Sequence, residues 1–250
     1  MFHVVIPARF AATRLPGKPL LQIHGRPLIQ WVWERARASG AASVIVATDD
    51  ERIHEAARGF GADSVLTSPA HASGTDRIAE VARARGFAAT DIVVNLQGDE
   101  PLMPPSVVSD LAAALSERPL TDIASAVAPI QSLAEFLDPN CVKALRALDG
   151  RALYFSRAPV PWPRDRTEAG RPAAFDGAAR HVGIYAYRVR SLLEFAARPP
   201  TPLELSEKLE QLRALETGMS IHLMQLVEAP AIGVDTQQDL ERVRQLLSKA

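Results

Sequence analysis

The chain has 250 residues, with 28 lysines and arginines against 29 aspartates and glutamates, so its formal net charge is −1. A chain of this length can bury a large core, and its balanced charge argues against general attraction to nucleic acid or to an anionic membrane. Cys141 is the only cysteine, which excludes an internal disulfide. We find neither an apolar run of about 20 residues nor a secretory or transit signal. The sequence therefore predicts a soluble cytoplasmic protein in which any anion site is local.

Apolar strands alternate with helical segments through the first half of the chain. The predicted strands are Val4–Pro7, Ser43–Thr48, Asp91–Leu96 and Ile123–Val127. The predicted helices are Leu28–Ala38, Ile53–Gly59 and Arg77–Arg85. This alternation is typical of βαβ units, and the continuous hydrophobicity of the strands indicates a parallel sheet covered on both faces. Pro27 suits the first position of the first helix, and Gly40 suits a left-handed cap after it.

The pattern changes after about residue 130. Two β-rich runs flank Asp149-Gly150, which is a strong hairpin signal, and HVGIYAYR at 181–188 predicts another short strand. The polar segment 164–177 predicts a loop. These features indicate an antiparallel insertion. We therefore expect one α/β domain over residues 1–250, with an insertion lobe at about 130–200.

Helical spacing returns near the end of the chain. LSEKLEQLRALE at 205–216 predicts one helix, whereas SIHLMQL at 220–226 and AIGVD at 231–235 predict strands. The final segment, from Thr236 onward, predicts an amphipathic helix with Thr236 as its cap.

The stretch RFAATRLPGKPL directly follows the first predicted strand, where ligands bind in an open parallel sheet. It matches neither a Walker A loop, because Ala12 stands in place of the first glycine, nor a dinucleotide fingerprint. Arg9, Arg14 and Lys18 could nevertheless hold several phosphates together with the N–H groups of the turn. Each cation–phosphate pair at ~4 Å contributes about 1 to 4 kcal/mol, depending on the effective dielectric. A solvated basic loop is the alternative interpretation.

Acidic residues follow two other apolar runs. VVNLQGDEP ends in Gln97, Gly98, Asp99 and Glu100, and AIGVDT contains Asp235. Gly98 would let a ligand approach the backbone, and Mg²⁺ prefers a pair of carboxylates together with phosphate oxygens and water. Asp99 and Asp235 could therefore converge on one metal. The alternatives are a turn-forming role for Asp99 and a helix cap for Asp235.

Further polar residues could bind the rest of a substrate. HASGTDR contains Gly74, Thr75 and Arg77, and by itself indicates only a capped helix start. Groups suited to a polyhydroxylated acid are Arg157, His181, Tyr185, Glu204, Glu207 and Gln211. Each of these also has an ordinary structural use, in an ion pair, a strand or an exposed helix face.

The motifs IPARFAATRLPGKPL, HASGTDR, VVNLQGDEP, ALYFSR, RHVGIYAY, LEQLR and GVDT occur in this order along the chain. Together they closely resemble the 3-deoxy-manno-octulosonate (KDO) cytidylyltransferase family, the CMP-KDO synthetases, over essentially the whole chain. The resemblance implies a Rossmann-like α/β nucleotidyltransferase fold with a mostly parallel central sheet and a small antiparallel insertion for dimerisation and sugar binding. It implies the reaction of CTP with KDO to give CMP-KDO and pyrophosphate, which serves lipopolysaccharide biosynthesis. Mg²⁺ as cofactor and a homodimer are implied as well.

The resemblance also implies residue roles around the nucleotide. Arg9 and Lys18 would bind the triphosphate, with Arg14 in support. The residues near the cytosine would be Gly74, Thr75 and Arg77. The Mg²⁺ ligands would be Asp99 and Asp235, which with Arg9 and Lys18 form the implied catalytic set.

Gln97 would lie between the ribose and the sugar. The other implied KDO contacts are Arg157, His181, Tyr185, Glu204 and Gln211, with the arginine facing the sugar carboxylate. The chain departs from the family pattern at Phe10, commonly tyrosine, and at Gln237-Gln238, commonly Pro-Glu. The alternatives are another sugar nucleotidyltransferase, using sialic acid, UTP or GTP, and a catalytically silent sensor. The sequence does not separate KDO from its 8-amino analogue.

Overall fold

The computed structural model describes residues 1–11, 15–168, 170–231 and 233–248, without the side chain of Arg171. The strands are β1 Phe2–Ala8, β2 Gln22–Ile23, β3 Arg26–Pro27, β4 Ser43–Thr48, β5 Asp63–Leu66, β6 Ile92–Asn95, β7 Ile123–Pro129, β8 Lys143–Arg146, β9 Ala152–Ser156, β10 Thr167–Glu168, β11 Arg171–Pro172, β12 Ala179–Arg188 and β13 Ile221–Gln225. The α-helices are α1 Leu28–Ala38, α2 Glu51–Gly59, α3 Gly74–Ala84, α4 Pro105–Ser116, α5 Leu133–Leu137, α6 Val189–Ala196, α7 Pro202–Glu207, α8 Gln211–Glu216 and α9 Gln237–Leu247.

A mostly parallel sheet forms the centre of the molecule, with strand order β13-β7-β12-β6-β1-β4-β5. β1 pairs in parallel with β4 and β6, β4 with β5, and β7 with β13. β12 alone on this path runs antiparallel to its neighbours β6 and β7. The β8–β9 hairpin extends the sheet by pairing with the start of β12. The predicted mixed α/β fold with a mostly parallel sheet is confirmed.

Apolar side chains fill both faces of this sheet. Val4 and Ile6 of β1 pack on the side of α1 and α4, whereas Val5 between them packs on the side of α3 and α6. All three are fully buried. Successive residues of a strand point to opposite faces, so a strand covered on both sides must be apolar at every position. This is why the predicted strands read as continuous apolar runs.

Several predicted elements match the observed ones, and some do not. The bounds of α1 are as predicted, and Gly40 after it has a left-handed φ of 78°. Pro27 caps the helix and does not occupy its first position. The edge strand β5 was not predicted, because its four residues are only partly buried.

The prediction of a strand at HVGIYAYR is confirmed, but the strand is longer than predicted and does not lie wholly in the insertion. β12 has ten residues, and its second half lies in the main sheet between β6 and β7. The predicted insertion stretch therefore shares its last strand with the core. Within the stretch, the predicted hairpin at Asp149-Gly150 is confirmed, and the segment predicted as a loop contains the short pair β10–β11.

The C-terminal segments also differ in part from the prediction. LSEKLEQLRALE forms two helices, α7 and α8, because Lys208 between them is left-handed with φ 54°. Residues 231 and 233–235 form no strand, and Ile232 lies outside the described residues. The last helix is capped by Thr236, whose side chain accepts from the N–H of Asp239, as predicted. No helix among the described residues is both long and apolar enough to cross a bilayer.

The turn after β6 comes very close to the end of β1. A Cβ atom at Gly98 would lie 2.8 Å from the carbonyl oxygen of Pro7 and 3.3 Å from Cδ1 of Ile29. The glycine interpreted from the sequence as a point of ligand approach is therefore a point where two strand ends meet.

We expect the Gly98→Ala substitution to destabilise the protein by about 1–3 kcal/mol, because the backbone carbonyl of Pro7 cannot move away cheaply. The free energy of unfolding in urea measures this effect. Gly59→Ala is the control, since an added Cβ on this last residue of α2 meets no atom within 4 Å. That control should be neutral or stabilising by up to about 1 kcal/mol. Equal stability of Gly98→Ala and wild type would contradict the close approach.

Candidate active site

A cleft of about 340 Å³ opens at the carboxyl ends of β1 and β6. Its walls are the loop after β1, the segment 72–74 before α3 and the turn 97–99 after β6. Ligands bind at this edge in open α/β sheets, because the loops that follow parallel strands meet there. Arg9 and Lys18 both line the cleft, as the sequence predicts for a phosphate site. The predicted supporting residue Arg14 lies outside the described residues.

The Lys18 ammonium joins the two acids that the sequence singled out. Its Nζ lies 2.6 Å from Oδ2 of Asp99 and 3.1 Å from Oδ1 of Asp235. Burial lowers the pKa of Lys18, but the neighbouring Asp99 and Asp235 outweigh it and raise the pKa above its ordinary value. The lysine therefore stays charged throughout the neutral range. The structure brings Asp99 and Asp235 to one point, although they belong to segments far apart in the chain.

Glu100 adds a third carboxyl behind this junction. Burial, followed by the charges of Asp99 and Asp235, raises the pKa of Glu100 to about 8. The side chain packs so closely on Gly233 that a Cβ there would lie 2.8 Å from its Oε1. Because Glu100 is largely protonated at neutral pH, it adds little negative charge. The sequence gives Glu100 no predicted role, because a turn motif does not show whether a side chain is buried.

The carboxylates of Asp99 and Asp235 suit a divalent cation whose remaining ligands are phosphate oxygens and water. Asp99 and Asp235 already share one cation, the Lys18 ammonium. The described residues contain no group of three or more His, Cys, Asp or Glu placed to hold a metal. Mg²⁺ is usually bound by one or two carboxylates, with phosphate oxygens and water completing its shell. Two converging carboxylates beside a phosphate cleft therefore fit Mg²⁺.

The start of α3 forms one wall of the cleft. A Cβ at Gly74 would lie 3.3 Å from Cγ of Pro7 and 3.9 Å from Oε1 of Gln97, so the backbone approaches both closely. The hydroxyl of Thr75 donates to Oε2 of Glu210 at 2.6 Å. Gly74 thus faces the cleft, while Thr75 connects the wall to α8 behind it.

Arg77 occupies a different environment from Gly74. Its side chain is fully buried, and its guanidinium donates to Oδ2 of Asp49 at 2.7 Å and to the Thr67 hydroxyl. Arg77 therefore fastens α3 to the ends of β4 and β5 and does not line the cleft. A motif at the start of a helix does not reveal which way each side chain faces, so the sequence could not show this.

Gln97 and Arg157, both predicted to contact the sugar, follow different strands, β6 and β9. Gln97 lines the cleft, and its amide donates to Oδ1 of Asn95 at 3.1 Å. Arg157 follows β9 and donates through Nε to the carbonyl of Glu207 at 2.7 Å and through Nη1 to the carbonyl of Pro139 at 2.9 Å. Two neutral carbonyls therefore hold its guanidinium, while the Glu207 carboxylate accepts from the backbone N–H of Arg157 at 2.9 Å and from the Ser156 hydroxyl at 2.7 Å.

His181 and Tyr185 stand on β12 with their rings 5.4 Å apart. The Ser125 hydroxyl donates to the Ile184 carbonyl at 2.9 Å, so its oxygen accepts from Nε2–H of His181 at 2.8 Å. Burial, assisted by the charge of Arg180, lowers the pKa of His181 to about 4. Burial also raises the pKa of Tyr185 well above its ordinary value. Both side chains are therefore neutral hydrogen-bonding groups at pH 7.

The two predicted contacts on α7 and α8 have different surroundings. Glu204 caps α7 and accepts two hydrogen bonds from Arg213, at 2.8 Å and 2.6 Å. Gln211 begins α8 and is buried, directly after Glu210. Glu204 thus has a structural role in joining α7 to α8, and the bond between Thr75 and Glu210 brings the start of α8 to the cleft wall.

Comparison with known proteins identifies the family of this chain. The family model described as Cytidylyltransferase matches residues 3–221. The 3-deoxy-manno-octulosonate cytidylyltransferase of Pseudomonas fluorescens strain Pf-5 is 54% identical over 248 residues, covering 98% of each chain. The chain belongs to the 3-deoxy-manno-octulosonate cytidylyltransferase family. The enzyme of the same name from Thioalkalivibrio sulfidiphilus strain HL-EbGR7 is 52% identical over 246 residues, again covering 98% of each chain.

A solved structure shows the same architecture. CMP:2-keto-3-deoxy-manno-octonic acid synthetase, complexed with CTP, is 41% identical and superposes with a TM-score of 0.89. The match covers 99% of this chain and 98% of that one. The family membership and the fold implied by the sequence resemblance are therefore both shown.

The buried imidazole of His181 should make stability depend on pH. The unfolded chain, where histidine has its ordinary pKa of 6.5, takes up a proton that the folded chain accepts only near pH 4. Stability should therefore be lost as the pH falls from about 6.5 to about 4, by up to about 1.4 kcal/mol per pH unit for this proton. We expect His181→Gln to flatten this dependence in urea unfolding measured at several pH values.

Ser125→Ala is the control for that measurement. It removes the hydrogen bond to the ring but keeps the imidazole, so it should lower stability and retain most of the pH dependence. An identical pH dependence of wild type and His181→Gln would contradict the assignment of a neutral, buried imidazole.

Proposed function

We propose that the protein transfers the cytidylyl group of CTP to 3-deoxy-manno-octulosonate, giving CMP-KDO and pyrophosphate for lipopolysaccharide biosynthesis. The junction of Lys18 with Asp99 and Asp235 carries the proposal, because it places a cation and two carboxylates at the mouth of a cleft. Relatives at 52–54% identity carry the corresponding name, and the 41%-identical structure was solved with CTP. The cytoplasmic location predicted from the sequence and the homodimer implied by the resemblance belong to the same proposal.

The cations of the loop after β1 would neutralise the negative charge of the triphosphate. Arg9 and Lys18 line the cleft, and Lys18 keeps its proton because two carboxylates lie beside it. Negative charge builds on the departing pyrophosphate as its bond to the α-phosphate breaks. Fixed cations stabilise that charge more strongly in the transition state than in the bound substrate, and this preferential stabilisation accelerates the reaction.

Asp99 and Asp235 would hold Mg²⁺ in this reaction. When bound, the ion supplies positive charge that favours ionisation of the attacking sugar hydroxyl and offsets charge on the phosphates. The two aspartates lie on different loops, so both must be in place before the acceptor can be aligned. The site would therefore catalyse the reaction through positioning and electrostatics, with no covalent intermediate on a side chain.

The residues of β9 and β12 supply the complementary groups for a sugar acid. The guanidinium of Arg157 would face the carboxylate of KDO, since its own partners are neutral carbonyls. His181 and Tyr185 are neutral and would hydrogen-bond with hydroxyl groups. Gln97, which lines the cleft, would contact both ribose and sugar. Thr75 and Arg77 would act on the cytosine side by fixing the position of the α3 wall that contains Gly74.

Pyrophosphate release tests the reaction directly. We expect release only when CTP, KDO and Mg²⁺ are all present, with UTP, sialic acid and 8-amino-KDO as substrate controls. Identification of CMP-KDO by mass spectrometry completes the assignment. Faster release with sialic acid or UTP would indicate a different sugar nucleotidyltransferase. CTP binding without release under any of these conditions would favour a silent sensor.

We expect Asp99→Asn and Asp235→Asn each to lower kcat by about 100-fold or more, because each removes a charge from the reacting centre. Thermal unfolding should show a folded protein in both cases. Asp110→Asn, on an exposed position of α4, is the matched control and should keep wild-type turnover. A double variant of Asp99 and Asp235 that remains active and responds to Mg²⁺ would refute the metal assignment.

A further inference from the structure

Lys143, the first residue of β8, has a completely buried side chain. Its ammonium donates to the carbonyl oxygens of Asp138 at 2.8 Å and Cys141 at 2.5 Å. In the part of the chain that the structure describes, it forms no ion pair with a carboxylate. Burying a charge without an opposite charge is unfavourable, and an apolar side chain of similar length would fill the same volume at lower cost. The position therefore calls for an explanation other than core packing.

The ammonium organises the turn at 138–141, which follows α5. The N–H of Cys141 donates to the carbonyl of Asp138 at 3.1 Å, and the N–H of Asn140 donates to Oδ1 of Asp138 at 2.8 Å. The carbonyls at the two ends of the turn both point at the Lys143 ammonium. Without this cation the two carbonyl oxygens would lose the donor that they share. Lys143 thus fixes the shape of the turn.

The carbonyl of Pro139, inside the same turn, points to a different cation. It accepts from Nη1 of Arg157 at 2.9 Å, while the carbonyl of Glu207 accepts from Nε of Arg157 at 2.7 Å. These two carbonyls lie on separate elements and hold the guanidinium between them. One of the two supports of Arg157 therefore depends on the turn that Lys143 shapes.

Strand register places Lys143 directly behind the candidate sugar residues. β8 lies between β9 and β12, and Lys143 is opposite Ser156 on one side and Arg180 on the other. The next residues along those two strands are Arg157 and His181. The N–H of His181 also donates to the carbonyl of Val142 at 2.8 Å. A change at Lys143 is therefore transmitted to both candidate contacts through one turn or one strand.

We propose that Lys143 is a positioning residue for the carboxylate of the sugar acid: it shapes the 138–141 turn so that Pro139 holds Arg157 in the orientation that receives the substrate. This role rests on the proposed function, in which Arg157 faces the carboxylate of KDO. Lys143 itself does not touch the substrate, because its side chain is enclosed by protein. Its effect should therefore be specific for the acceptor and absent for the nucleotide.

The test is steady-state kinetics of the Lys143→Met variant with CTP, KDO and Mg²⁺, following CMP-KDO formation. We expect the KM for KDO to rise about tenfold or more. The variant loses the hydrogen bonds from the Lys143 ammonium to the turn, and this turn carries the Pro139 carbonyl that orients Arg157. The KM for CTP and kcat at saturating KDO should stay within about twofold of wild type. Arg151→Met is the matched control, since it removes an exposed cation from the same hairpin and should change none of these constants.

A double-mutant cycle shows whether Lys143 acts through Arg157. Arg157→Gln should raise the KM for KDO by itself, and adding Lys143→Met should raise it no further. Additive effects of the two substitutions would overturn the proposal, because they would indicate independent roles. A Lys143→Met variant with an unchanged KM for KDO would overturn it as well, as would an equal rise in both KM values.

Two further measurements keep the outcomes separate. If Lys143→Met does not fold, Asp138→Ala replaces it, since this change removes the side-chain bond to Asn140 but keeps the Lys143 ammonium. We then expect a rise of about threefold in the KM for KDO alone, and no change would count against the proposal. Wild-type enzyme that forms no CMP-KDO would contradict the proposed function itself, whereas an active wild type with an unaffected variant contradicts only the role of Lys143.

Discussion

The ammonium group of Lys18 is the interaction on which the site depends. It holds carboxylates that are 81 and 217 residues away in the chain, and so joins the loop after β1, the turn after β6 and the segment before α9. Two ionised acids at this spacing would repel each other without a cation between them. The lysine makes their proximity stable. Burial, followed by the charges of the two aspartates, raises the pKa of Glu100 to about 8, which opposes a third negative charge at the junction.

The sheet explains why such distant residues can meet. β1 and β6 are parallel neighbours, so their carboxyl ends share one edge, and the N–H of Val234 donates to the carbonyl of Asp99 at 2.8 Å, next to Asp235. Gly98 and Gly233 allow these segments to pack at backbone distance. The residues proposed to bind the acceptor lie elsewhere, directly after β9 and on the antiparallel strand β12. The residues that line the cleft come instead from the segments after β1 and β6 and from the start of α3.

Much of this arrangement could be predicted from the sequence where the signal is local. Buried parallel strands such as β4 read as continuous apolar runs, and Asp99 was expected near the metal because it follows such a strand. The approach of Asp235 was also anticipated, although no strand holds it there: the backbone hydrogen bond of Val234 to Asp99 and the ion pair of Asp235 with Lys18 connect the two segments. The burial of Arg77 and Lys143 could not be predicted, since cations usually lie at the surface. One motif also does not show which face of a helix is buried or which strands pair.

The position of β12 bears on how this fold changes its acceptor during evolution. Enzymes commonly acquire new substrates by exchanging exposed loops, which leaves the scaffold intact. Here His181 and Tyr185 belong to a strand that is hydrogen-bonded on both sides within the main sheet. Exchange of those residues alters the interior of the protein and its stability together with its selectivity. In the proposed function, acceptor choice is thus tied to folding, and an engineered acceptor site would have to compensate in the core for each change it makes on β12.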